Sequence, residues 1–295
     1  MTPFYDAFGR LITGGLHEDP RILSGDLSHS DSIGTSCIPT GAEVSSAVTD
    51  TNFPITAAAV ATALGVPAAT PSYIWTCQET TDNNLVDALQ DEQLFEGDVD
   101  GAEWAIATSG LQGSRTAIRL TILSSERFAA SNVLIGDLTQ STAWMAVYNV
   151  AVENAATLAL LSKGRGLAAA PAADNAGIVS SFDSLGRLTT TISDGTASVA
   201  NSLIVGDSND GNWHIGGMVY NATAQTVKTM NEISEHTRDV STLTFVTNNS
   251  YFTIGDSRFP AAGADIAYVL LFEGAAAEAV TQASLATFHT QMVTA

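Results

Sequence analysis

The chain has 295 residues, of which 45% are apolar, enough for one large β-sandwich plus an extra segment or for two small domains. Lys and Arg total 11 against 31 Asp and Glu, a formal net charge of -20, with Lys163 and Lys228 the only lysines. Such a surface repels phosphate backbones and anionic headgroups, so nucleic acid and membrane surfaces are excluded as expected partners, and the charge reads as solubility.

The N-terminus, Met1-Thr-Pro-Phe-Tyr-Asp-Ala-Phe, shows neither a basic n-region nor a continuous apolar run. The longest apolar run, Ile55 to Val66, contains two threonines and stops at Pro67, short of the roughly 20 residues that span a bilayer. The expectation is a soluble chain made in the cytoplasm. Residues 1–70 hold five of the eight prolines and a Gly/Ser/Asp-rich stretch from Ser24 to Gly34, without a sustained period of 2 or 3.6. They are expected to form an extended docking or oligomerisation arm that orders against a partner. One short helix is predicted there, at about 55–64, stopped by Gly65 and Pro67. Cys37 and Cys77 stand 40 residues apart with no metal-ligand spacing; they could pair with each other or with a neighbouring subunit, and free thiols are the expected state.

From Tyr73 the pattern changes to short β-branched and aromatic runs between Gly/Asn/Asp turns. The runs are 116–122, 142–152, 158–161, 177–182, 187–192, 212–220, 226–230, 242–247, 251–254 and 266–272. Connections too short for crossover helices predict antiparallel pairing in a two-sheet sandwich over 71–295. In the second run Trp144, Ala146 and Tyr148 share one face and Met145, Val147 and Asn149 the other, so both faces are largely apolar and the strand should be central. Arg187-Leu-Thr-Thr-Thr-Ile-Ser is wet on one side and should lie nearer an edge. An amphipathic helix after Phe272, ending near Met292, should cap the finished sheet.

Several landmarks resemble laminin G-like, concanavalin A-like jelly rolls. They are Tyr73-Ile-Trp-Thr-Cys-Gln-Glu with Asn84-Leu-Val-Asp-Ala-Leu, the strand Thr142-Ala-Trp-Met-Ala-Val, Leu160-Leu-Ser-Lys-Gly164, Asp210-Gly-Asn-Trp-His-Ile, and the closing Gly263-Ala-Asp-Ile-Ala-Tyr-Val-Leu-Leu-Phe plus helix. The resemblance covers about three-quarters of the chain and implies an all-β antiparallel jelly roll with a short C-terminal helix. Trp144 and Trp213 are expected to fill the gap between sheets, His214 to be a half-buried strand histidine, and Gly255 and Gly263 to mark turns.

Such a fold serves as glycosidase, lectin or structural module. The paired carboxylates of its glucanase members have no match here: the nearest run, Glu96-Gly-Asp98-Val-Asp-Gly101, carries glycine where the second glutamate belongs. Gly206-Asp-Ser208 and Gly255-Asp-Ser257 imitate a GDSL-type esterase turn. The accompanying Asp-x-x-His occurs only at Asp26–His29, and His289 has Ala286 in the acid's place, so both triplets read as turns. No catalytic residue is assigned, and the chain is not expected to be an enzyme. Laminin G-like domains often bind calcium at a rim, and the resemblance makes two oxygen-rich loops candidate Ca2+ ligands: Asp207, Asn209 and Asp210, and Asp98 and Asp100.

An extracellular-type fold with no export signal and a partner-dependent arm fits a protein that folds in a host cytoplasm and is displayed later on a particle. The expected function is a structural surface protein of a tailed bacteriophage virion, a head decoration or fibre. Residues 1–70 would dock on a major capsid or other virion protein in a homo-oligomer, and the sandwich would face outward with weak host-glycan binding. The alternative is a bacterial carbohydrate-binding, lectin-like module, and a glycan or ester hydrolase ranks third.

Overall fold

The computed structural model describes residues 56–66, 68–78, 85–89, 93–96, 103–107, 110–112, 115–120, 128–130, 134–150, 159–164, 176–183, 185–204, 210–247, 250–255 and 264–293, together with a strand pair at 4–5 and 11–12. The strands in chain order are Phe4–Tyr5 (β1), Leu11–Ile12 (β2), Tyr73–Trp75 (β3), Leu85–Val86 (β4), Gln93–Glu96 (β5), Glu103–Ala107 (β6), Thr116–Leu120 (β7), Phe128–Ala130 (β8), Thr142–Val150 (β9), Ala159–Gly164 (β10), Ala176–Phe182 (β11), Leu188–Asp194 (β12), Ser198–Ser202 (β13), Trp213–Asn221 (β14), Thr226–Asn231 (β15), Glu235–Asp239 (β16), Phe252–Ile254 (β17) and Ala264–Glu273 (β18). The helices are Ala57–Ala63 (α1), Ala275–Glu278 (α2) and Gln282–Met292 (α3). The predicted all-β sandwich with a C-terminal helix is the observed fold, and its strand pairs are antiparallel.

Two sheets face each other. One runs β13-β12-β11-β10-β17-β8-β5-β4; the other runs β16-β15-β14-β9-β18-β7-β6, with β3 also on β18. Alternation along β9 explains the layering. Trp144, Ala146, Tyr148 and Val150 point into the core between sheets, while Ala143, Met145 and Val147 point the other way into a second core. That second core is roofed by helices. Leu285, Phe288 and Met292 form the buried stripe of α3, at spacings of three and four residues, and α1 adds Ala59, Val60 and Ala63. A bulge between Ile266 and Tyr268 shifts the phase of β18, so that Ala267 and Tyr268 both face the helices before Val269 returns to the inner core.

Local chemistry sets the helix ends. Ala59 N–H donates to Thr56 Oγ1 (3.1 Å) at the start of α1, and Gly65, with φ +70°, ends it. Thr281 and Ser284 form a reciprocal capping box on α3. The helix predicted near 55–64 is α1. It and Ala69 belong to the same core as α3, so the folded body begins before residue 70. Apart from β1 and β2, residues 1–55 lie outside the described residues.

Three expectations need correction. Thr242–Thr247 is not a strand: Leu243 is buried and Phe245 packs edge-on to Tyr220 (centroids 5.1 Å), so this segment plugs an end of the sandwich instead of pairing. Trp213 does not fill the space between sheets. Its even spacing from Ile215 and Val219 places it in the outer core, where His289 Nε2 lies 3.2 Å from its carbonyl oxygen. The threonine-rich β12 lies near an edge as expected, but it is largely buried instead of wet on one side, because β13, unrecognised in the sequence, pairs outside it.

That outer strand meets the other sheet. Asn201 Nδ2 donates to the carbonyls of Val227 (3.1 Å) and His236 (2.8 Å), and Thr229 Oγ1 donates back to the Asn201 carbonyl (2.8 Å). The two sheets are thereby stitched along one side by buried hydrogen bonds.

Candidate functional site

One end of the sandwich collects the starts of β14 and β16, the ends of β9, β13 and β15, and the β11–β12 turn. Across it, the Gly216–Asn231 pairing brings the turn after β15 beside His214. His214 Nδ1 lies 2.6 Å from Glu232 Oε1, and its Nε2 lies 2.9 Å from Asp210 Oδ1. The other oxygen of Glu232 accepts from the Ile215 N–H (3.1 Å), and Asp210 also accepts from the backbone and side chain of Asn212. The ring sits 6.1 Å from Tyr148, which in turn meets Phe182 edge-on. His214 is thus a nearly buried strand histidine, as its sequence suggested.

Electrostatics lock this arrangement. Burial alone would lower the His214 pKa, but hydrogen bonds and charge from Glu232 and Asp210 outweigh it and hold the imidazolium above its ordinary range. Burial pushes Glu232 upward, and its bond to His214 more than reverses this, so the carboxyl titrates below its usual value. Asp210 is lowered in the same way, burial being outweighed by His214 and Asn212. Both ring nitrogens are occupied by carboxylates. A histidine base must present one nitrogen to a nucleophile or substrate, and His214 has none to give. The cluster is a clamp that fixes the rim, not an acid–base device.

Around the clamp the rim is apolar. Leu185, at the β11–β12 turn, is 65% exposed, Ile204, just past β13, is 71% exposed, and Ile233, in the turn after Glu232, is 59% exposed. Two of them stand on hydrogen-bonded turns: Asp183 Oδ1 accepts from the Leu185 and Arg187 N–H groups, and Asn231 Oδ1 from those of Ile233 and Ser234. Exposed branched side chains on such pinned turns form a rigid contact surface.

Of the calcium candidates, Asp98, Asp100, Asp207 and Asn209 lie outside the described residues. Asp210 is described, and it serves the histidine clamp. Among the described residues there is no group of three or more His, Cys, Asp or Glu side chains that could hold a metal ion. Asp26, His29, Cys37, Ser208, Ser257 and Gly263 also fall outside them, whereas Gly255 has the turn conformation expected of it, with φ +77°. Cys77 is a buried thiol at φ +53° whose Sγ lies 3.9 Å from the Trp75 carbonyl oxygen. No described helix is long and apolar enough to cross a membrane.

The residue that sequence reasoning missed is Glu232. Asn231-Glu-Ile-Ser234 directly follows the 226–230 strand pattern, but matching Glu232 to His214 requires the register of β14 against β15.

No family model and no curated protein matches the chain. Among solved structures it is similar to the botulinum neurotoxin serotype D binding domain, with a TM-score of 0.53 at 9% identity over 74% of this chain and 50% of that one. A second structure, the receptor binding domain of botulinum neurotoxin D, gives 0.53 at 10% identity over 74% and 52%. The chain therefore spans about half the length of these structures, and what it shares with them is the β-sandwich fold.

Proposed function

We propose that this chain is a non-catalytic recognition and display module: a structural surface protein of a tailed-phage particle, anchored through residues 1–55 and presenting its sandwich rim outward. The observation that carries this reading is the rim itself, three exposed aliphatic side chains, two of them on pinned turns, at the end of the sandwich that holds a histidine with both nitrogens occupied. That is a surface built for contact. Two further points support it. The first described helix, α1, packs on the helix-covered face, where an anchor upstream of it would attach. The neurotoxin domains of similar fold are named as binding domains, which accords with recognition. The acidic surface fits display in many copies that must not stick to one another or to nucleic acid.

The test uses residues 56–295, which retain α1. The full chain should co-sediment with particles assembled from the virion proteins encoded beside it, and the 56–295 chain should stay in the supernatant while remaining folded. Equal sedimentation of both would remove the anchor assignment. The likeness to binding domains also favours a second reading, a lectin-like carbohydrate-binding module. Selective glycan-array binding by a chain that does not associate with particles would establish that reading instead.

A further inference from the structure

At the opposite end of the sandwich a buried amine lies near one buried and one half-buried carboxyl. Lys163, near the end of β10, is fully buried, with Nζ donating to the Ser250 carbonyl (2.7 Å). Asp137, in the turn before β9, is 4% exposed. Its Oδ1 accepts from the Thr139 N–H (2.8 Å), but its buried Oδ2 has no hydrogen-bond partner among the described residues. Glu273, the last residue of β18, accepts from the N–H of Gly136, the neighbour of Asp137 (3.0 Å). Asp137 and Glu273 lie close enough to Lys163 for their charges to act on its amine, and Lys163 and Gly136 flank one ring. Phe252 is the cross-strand partner of Lys163, and a Cβ at Gly136 would lie 3.8 Å from its edge and 3.5 Å from Leu271. Trp144 closes the same apolar space, its ring centroid 5.6 Å from that of Phe252.

Three ionisable groups in such a place are expensive, because each charge loses several kcal/mol of hydration on burial. Burial lowers the Lys163 pKa to about 8 against the pull of Asp137 and Glu273, which leaves part of the population as neutral amine near neutrality. Burial raises the Glu273 carboxyl beyond the lowering influence of the Gly136 N–H and Lys163. A neutral amine, a carboxyl carbon and a proton carrier are what amide condensation needs.

We propose that Lys163 and Asp137 join in an intramolecular isopeptide bond that ties the two sheets together, with Glu273 carrying the proton. The Lys163 side chain turns from the Ser250 carbonyl, and Nζ attacks Asp137 Cγ. The new C–N bond forms as one Cγ–O bond breaks. The departing oxygen takes one proton from Nζ and one from the Glu273 carboxyl, and leaves as water. Lysine amine, aspartate and protonated glutamate become amide, water and glutamate, so atoms and charge balance with no oxidant or cofactor. The product replaces buried charge by a neutral amide and closes a covalent loop between the turn before β9 and the end of β10.

Intact-mass measurement on the full chain tests this. The expected result is a mass lower than the sequence mass by one water, with a branched peptide joining the Asp137 and Lys163 segments after proteolysis. Lys163→Arg and Glu273→Gln should both restore the full sequence mass. A folded wild-type chain at full mass overturns the proposal. So does a water loss that persists in Lys163→Arg, which would mark a succinimide at Asp137. If either variant fails to fold, the branched peptide in the wild-type digest decides the matter alone.

Discussion

The indole N–H of Trp144, in the central strand of one sheet, donates to the Ser180 hydroxyl of the facing sheet at 2.8 Å. Both residues are buried, so the bond fixes the tilt of one of the two tryptophans of the inner core and the spacing of the sheets around it. Removing the hydroxyl leaves a buried donor without a partner. Ser180→Ala should cost about 1–3 kcal/mol in chemical denaturation. Trp144→Phe in the Ser180→Ala background should recover nothing, because it adds a cavity.

The histidine clamp makes stability depend on pH in a predictable direction. His214 is raised from 6.5, so its contribution is complete below that value and is lost as pH rises through the folded pKa. Glu232 and Asp210 are lowered from 4.5 and 3.8, so theirs is present above those values and is lost as pH falls through the folded ones. The clamp is strongest between about pH 4.5 and 6.5. The stability difference between wild type and His214→Gln should peak in that window and shrink on the alkaline side. A difference that grew from pH 6 to pH 9 would contradict the assigned charges.

Leu64 follows α1 and is 1% exposed within the outer core. Leu64→Ala should therefore destabilise the fold by about 2–5 kcal/mol. A chain beginning at residue 71 should melt lower than one beginning at 56, since it uncovers Leu285 and Phe288. Thermal melts of the three proteins compare both effects.

Asn201 is the main stitch along the closed side. Asn201→Ala strands the Val227 and His236 carbonyls and should cost about 1–3 kcal/mol. Amide exchange should quicken in β13 and β16 before it does in β9, because the seam opens from its margin.

Much of this fold is legible in the sequence. The two-faced apolar pattern of 142–152 marks a central strand, and the polar-apolar tail after Phe272, ending near Met292, marks the closing helix. Both are local signals that repeat over two or more periods. What escaped has a common cause. Ser198–Ser202 and Glu235–Asp239 carry few apolar residues, since their side chains serve a seam of hydrogen bonds in place of a core, and hydrophobic periodicity cannot find them. Trp213 was assigned to the wrong layer because either face of β14 could have taken it, and only the helical roof decides between them. Thr242–Thr247 has strand-like composition, yet Leu243 and Phe245 satisfy it as a plug. Glu232 and the Lys163 cluster depend on strand register, which no single segment encodes.

The Asn201 seam reaches beyond stability. A sandwich normally ends in strands with unsatisfied N–H and C=O groups, and these can recruit the strand of a neighbour. Here the Asn201, Ser202 and His236 carbonyls are each taken by a side chain across the seam. Molecules crowded side by side on a common scaffold can then abut along this flank without fusing into a continuous ladder, and each remains an individual unit.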